Sequence, residues 1–231
     1  ITEWDEYTGR FVAFEQVDIR ARVSGYLQDI HFTDGEQVEQ GDLLFSLDSR
    51  PFDAAIASAK AELERTQTNL TLSKQELHRA TRLVAQNAMS QEELDVRSAA
   101  MKARQADMAA AKAALQIAEL DLECSRISAP ISGRISSKNI DVGNLIQASD
   151  GQALTTIVKQ EPVFFVFDLS ESNYLKYKRQ RNQAGESRLI DQGWTVQVRL
   201  LDEQEYQHDG QVDFVDTRFD KNTGTIRLRA L

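Results

Sequence analysis

The 231-residue sequence predicts an elongated α+β architecture: a split β-sandwich, a long antiparallel coiled-coil α-hairpin and a small β-barrel. Three observations predict it. Composition shifts at Pro51, after which no Gly or Pro occurs up to Cys124. Within that stretch, large apolar residues recur every seven positions. The β-rich segments on either side resemble each other, with glycines at a common offset.

The hairpin follows from its period. In the first arm Ile56, Leu63, Leu70, Leu77 and Val84 form one row, and Phe52, Ala59, Thr66, Ser73 and Ala80 form the row four residues before it. In the second arm Leu94, Met101, Met108, Leu115 and Leu122 alternate with Arg97, Arg104, Ala111 and Ala118. A seven-residue repeat sustained this long is a coiled-coil seam. Because one row is large and the other small or polar, two helices can approach closely. At ~1.5 Å per residue each arm reaches about 50 Å. The short connection makes the arms antiparallel neighbours.

The corner between them, RATRLVAQNAMSQEEL (residues 79–94), carries its own stop and start signals. Asn87 suits the left-handed conformation that ends a helix. Ser90 and Glu93 have capping-box spacing, with Met89 and Leu94 placed as a hydrophobic staple. Leu83 flanks the seam, and Arg79 lies on an exposed face.

The flanking segments align as VSGYLQDIHFTDGEQV (23–38) and ISGRISSKNIDVGNLI (131–146). Gly25 and Gly133, and likewise Gly35 and Gly143, differ by 108 positions, and all four are expected at tight turns. Neither half has apolar surface enough for a core, so the two should pair across the hairpin base. Downstream, residues 161–169, 194–201, 211–216 and 225–231 read as strands, with turns at Asp209-Gly210 and at 221–224. A short helix capped by Ser170 carries the basic run KYKRQR, read as a solvated face. Together these suggest a small barrel, to which residues 8–14 add a strand.

Composition excludes several function classes. The net charge of −9 argues against nucleic-acid binding. No run approaches the roughly 18 apolar residues of a membrane span, so a soluble chain is expected. It starts at Ile1 and stops at Leu231 inside an alternating run, so both ends read as trimmed. One cysteine allows no internal disulfide. His31, His78 and His208 have no metal-ligand spacing. No phosphate-binding loop, dinucleotide fingerprint or nucleophile elbow is present, so neither an enzyme nor a cofactor is expected.

The paired halves resemble the biotinyl/lipoyl carrier fold. The junctions SLDSRPFD (46–53) and CSRISAP (124–130) contain no lysine, which disfavours a swinging-arm carrier. The whole order resembles the periplasmic adaptor (membrane fusion protein) family of resistance-nodulation-division (RND) efflux pumps. The stretches TGRFVAFEQVDIRARVSGYL, DGEQVEQGDLLFSLDSRPF, RISAPISGRIS, GNLIQ and PVFFVFDLSE carry the resemblance, as does the spacing of Arg79, Leu83 and Ser90.

The resemblance implies that those three residues contact a TolC-type outer-membrane channel. It further implies an inner-membrane RND drug/proton antiporter as partner, a hexameric ring, and a periplasmic location at the inner membrane. GNLIQ and FFVFDLSE look more like multidrug than metal-efflux adaptors. An N-terminal lipid anchor is left open. The implied division is residues 1–16 (first barrel strand and a trace of a membrane-proximal domain), 17–50 and 124–158 (lipoyl-like halves), 51–123 (hairpin) and 159–231 (barrel). An adaptor for an ABC-transporter (type I) system, which uses a similar plan, is the alternative.

Overall fold

In the computed structural model, residues 4–184 and 194–231 are described. Strands β1 (Gly9–Ile19), β2 (Gly25–Ile30), β3 (Gln37–Val38) and β4 (Leu43–Leu47) precede two long helices, α1 (Arg50–Ala85) and α2 (Gln91–Cys124). Then follow β5 (Arg126–Ser128), β6 (Gly133–Ile135), β7 (Leu145–Ile146) and β8 (Thr155–Ser170). Helix α3 (Glu171–Ala184) and strands β9 (Thr195–Val198), β10 (His208–Asp220) and β11 (Thr225–Ala230) complete the chain.

The two β-rich halves interlock by exchanging strands. One sheet has the order β5-β4-β2-β7, so both its outer strands come from the second half. In the facing sheet β3 of the first half pairs with β6 of the second, in register Gln37↔Arg134. Leu27, Leu44, Phe45 and Leu47 share one buried core with Ile127, Ile135, Ile146 and Ile157. Val23 and Ile131 pack against that same core, although 108 positions separate them. Each half supplies what the other lacks, and a two-sheet sandwich results.

The matched glycines do two different jobs. Gly35 and Gly143 adopt φ of 82° and 89°, as turn residues should. Gly25 and Gly133 correct the turn expectation, because they open strands β2 and β6. A Cβ on Gly133 would lie 2.6 Å from the Val158 carbonyl oxygen, so glycine there lets two backbones approach. Asp209-Gly210 is likewise no turn. It lies inside β10, where a Cβ on Gly210 would stand 3.0 Å from the Leu231 carbonyl oxygen.

The barrel strands run β1-β8-β11-β10-β9 around a core of Phe167, Leu169, Val212, Ile226 and Leu228. Among the described residues no ladder joins β9 to β1, so the wall is a half-barrel. The Ser170 hydroxyl accepts from the Asn173 amide at 3.4 Å, capping α3 as expected. Tyr174 and Tyr177 turn inward, while Lys176, Lys178 and Arg179 stay exposed.

β1 and β8 cross the boundaries expected at 16/17 and 158/159 without a break. β1 pairs with Val163–Phe167 through its first half and with Thr155–Lys159 through its second, and a register shift between Ala13 and Glu15 separates the two. A strand common to two modules keeps one alternating pattern, so sequence shows no punctuation there.

The seam rows lie on the faces that α1 and α2 turn toward each other. Thr66, Leu70, Ser73 and Ala80 are buried on α1 and Ala111 on α2. Ile56, Leu63, Leu77 and Val84 are half-buried, as are Leu94, Met101, Met108, Leu115 and Leu122. Arg97 reaches across the hairpin to Glu76 at 3.5 Å. Leu70→Ala is expected to destabilise the hairpin by about 2–5 kcal/mol, read by denaturant unfolding. A loss of only about 0.3 kcal/mol, the scale of an exposed site, would mean that Leu70 is not a seam residue.

Where the sandwich feeds α1, Pro51 occupies the first turn and Asp53 complements the helix dipole. Asp48 accepts from the Arg50 Nε at 2.9 Å, from its Nη2 at 2.7 Å and from its amide at 3.1 Å. These hydrogen bonds hold the Asp48 carboxyl down at about 2. A depressed carboxylate contributes stability above its ordinary value of about 3.9 and loses it as pH falls through the folded value. An NMR titration should therefore place the Asp48 midpoint near 2. A midpoint at the ordinary value would show that the pair does not form.

Candidate interaction site at the hairpin tip

The corner is built by backbone capping on both sides. The Asn87 amide donates to the Val84 carbonyl at 2.9 Å and the Ala88 amide to the Leu83 carbonyl at 2.8 Å. With Asn87 at φ 55°, this is a Schellman motif that closes α1 without glycine. Asn tolerates this region better than other side-chain-bearing residues.

On the far side Ser90 is extended, at φ −77° and ψ 157°, and its hydroxyl accepts from the Glu93 amide at 3.2 Å. Of the expected reciprocal capping pair, this is the half that forms. Met89 and Leu94 are both half-buried, consistent with staple positions.

This construction leaves a definite set of side chains outward. Arg79 is exposed and makes no ion pair among the described residues. Leu83, one turn on, shares its face. Leu83 is half-buried rather than fully exposed, so part of it supports the corner. Ser90 is exposed at the first turn of α2. The structure thus places Arg79 and Leu83 on one helical face and Ser90 just past the bend.

Sequence reasoning passed over Arg82. It is exposed, also without an ion pair among the described residues, and is the basic residue of the last turn of α1. A cation there complements the helix C-terminus, and that signal could have found it. The tip therefore offers two unneutralised guanidinium groups beside a partly covered leucine. Arg side chains are suited to carboxylate partners. Nothing in this arrangement resembles a nucleophile with its base, and among the described residues no cluster of His, Cys, Asp or Glu could hold a metal ion.

A strand-exchanged sandwich split by a capped helical hairpin, followed by a half-barrel, defines a class of protein. The chain belongs to the RND membrane fusion protein family: residues 15–160 match the family's barrel-sandwich hybrid domain and residues 162–231 its beta-barrel domain.

Among curated relatives, the multidrug resistance protein MdtA of Proteus mirabilis (strain HI4320) is 35% identical over 222 residues, covering 96% of this chain and 52% of MdtA. MdtA of Pantoea ananatis (strain AJ13355) is 33% identical over the same shares. The chain spans about half the length of these relatives. The fold is also that of the membrane fusion protein Spr0693 from Streptococcus pneumoniae R6, with a TM-score of 0.69, 20% identity, and 96% of this chain and 90% of that one covered.

Proposed function

We propose that this chain forms part of a periplasmic adaptor that links an inner-membrane RND-class drug/proton antiporter to a TolC-type outer-membrane channel, for efflux of drugs or other small amphiphiles. Family membership supports the adaptor role, and the MdtA relatives, which are multidrug resistance proteins by name, support multidrug rather than metal efflux. The observation that carries the reading is the tip. A hairpin with 36 and 34 residues in its helices ends in a corner closed by the Asn87 turn on one side and the Ser90 hydroxyl on the other. Its outward side chains are left over for a partner.

In this reading Arg79, Leu83 and Ser90, joined by Arg82, contact the channel. The segments 17–50 and 124–158 form the body, 51–123 the lever that spans to the channel, and 159–231 with 1–16 the part nearer the transporter. Six copies form a ring, held at the inner membrane through the transporter. Among the described residues no helix is long and apolar enough to cross a membrane, so in this reading α1 and α2 reach a partner and do not enter the bilayer.

A photocrosslinking residue at position 83 of the full-length protein in cells tests the docking. The expected adduct is an outer-membrane channel subunit. Adducts confined to the transporter or to other copies of the adaptor would overturn tip docking.

A further inference from the structure

Residues 4–8, just before β1, belong to no strand or helix, yet side chains hold them on two sides. Gly9 lets this segment pass close to β8, since a Cβ there would stand 2.6 Å from the Val166 carbonyl oxygen. Glu6 reaches Arg199, the residue that follows β9. The segment thus bridges the side of the half-barrel that no ladder closes among the described residues.

On one side it meets α3. Tyr7 is half-buried, and its ring stacks on Phe167 with centroids 5.9 Å apart. The Tyr7 hydroxyl lies 3.1 Å from that of Tyr177 and accepts from the Asn173 side-chain amide at 2.8 Å. The Tyr177 hydroxyl donates to Asp5 in turn, and its ring meets Trp194 edge-on at 5.5 Å. A connected network set on an aromatic core is strengthened by its low dielectric surroundings.

On the other side it meets the loop between β9 and β10. Glu6 accepts from the Tyr206 hydroxyl at 2.8 Å and faces the Arg199 guanidinium at 3.5 Å. The loop is braced within itself, because Glu203 accepts from the Leu200 amide at 2.9 Å and lies 3.0 Å from the His208 Nε2. Its tip, Leu201, is fully exposed. Among the described residues, Glu6 supplies the hydrogen bonds and the ion pair that tie this loop to anything beyond its own strands. The Glu6 side chain is 74% exposed, and ion pairs that open to solvent are weak and screened by salt.

We propose that residues 5–7 are a strap with a fixed end and a release catch: Asp5 and Tyr7 keep it on α3, while Glu6 lets the β9–β10 loop go. The two ends differ in kind, one a half-buried network on aromatic rings and the other an exposed carboxylate. Local opening starts where buried contacts are fewest, so the loop leaves first, as a braced unit, and the strap stays with α3. The catch decides whether the Leu201 tip is held beside the strap or swings free of it.

The test uses the whole chain with Cys124→Ser, which removes its single cysteine, and pairs of spin labels whose separation is read by pulsed electron resonance. One pair, Trp4→Cys with Leu201→Cys, spans strap and loop. The other, Trp4→Cys with Arg179→Cys, spans strap and α3; all three positions are exposed. In dilute salt each pair should give one narrow distance. In about 1 M salt, where the screening length is about 3 Å, the 4–201 distribution should broaden about twofold while 4–179 stays narrow. Spreading of both pairs together, or of neither, overturns the catch. This series leaves residues 5–7 unaltered, so it decides the matter even where a variant fails to fold.

Glu6→Arg should broaden 4–201 in dilute salt, and adding Arg199→Glu should narrow it again. A 4–201 distance indifferent to the first change, or not restored by the second, overturns the proposal. Tyr177→Phe removes the hydroxyl between Asp5 and Tyr7 but keeps the ring, and it should broaden both pairs. Two unchanged distances there would show that the network is not the fixed end. None of these readouts involves the hairpin tip, so their failure leaves tip docking standing.

Discussion

Arg79→Asp is expected to abolish efflux in cells while the protein accumulates normally. The guanidinium of Arg79 is exposed and unpaired among the described residues, so its replacement breaks no ion pair or hydrogen bond there. An exposed substitution of this kind costs the fold about 0.5 kcal/mol or less. At a desolvated interface, the same change replaces attraction with like-charge repulsion, which costs several kcal/mol. The separation between a small folding cost and a large functional loss is the signature of docking.

Leu83→Ser is a stricter companion. Half-burial makes its folding cost larger, about 1 kcal/mol, yet efflux should fall with it. Ser90→Asp keeps an oxygen that can cap α2 but adds charge and bulk, so helicity should survive while efflux drops. Drug accumulation and circular dichroism measured on the three variants decide the matter. Folded protein with undiminished efflux in every case would remove the tip from the binding surface.

Phe45→Ala is expected to be the most damaging single change to the fold, at about 3–5 kcal/mol. Phe45 is 0% exposed and sits on β4, which pairs with β2 of its own half and with β5 of the other. Its ring also meets Phe32 edge-on at 5.2 Å. Removing it opens a cavity where both halves meet, so the hairpin base loses its footing along with the sandwich. The expected result is a lowered unfolding midpoint with α-helical and β signals lost together. Helix signal that persists after the β signal has gone would show that the hairpin does not depend on the sandwich core.

The hairpin was legible because a seven-residue period is a global property that no single substitution hides. Its corner was legible for the opposite reason: Asn87 and Ser90 each have a local reason to stand where they do. The split sandwich could be read from glycine offsets, but the glycines themselves were half misread. Gly35 supplies a positive φ and Gly133 supplies empty space, and a one-letter code does not distinguish those uses. Asp209-Gly210 misled in the same way. Arg82 is less legible because it lies on the outer face of α1, away from the seam that carries the seven-residue period. What an exposed side chain awaits lies in another molecule, and one chain records only its half.

The unbroken passage of β1 and β8 from sandwich to barrel has a mechanical consequence. Modules joined by a single loop can swivel, and motion in one is dissipated at the joint. Here two antiparallel, hydrogen-bonded strands run through the boundary, with a register shift near Phe14 between their two paired stretches. Two paired strands resist a free swivel better than one loop does, so displacement of the barrel is passed on to the sandwich, with the register shift as the place where the ribbon can bend. The base of α1 and α2 is set in that sandwich. A tilt imposed at the barrel end is thereby delivered, multiplied by the length of the helices, as a sideways sweep of the corner at Asn87.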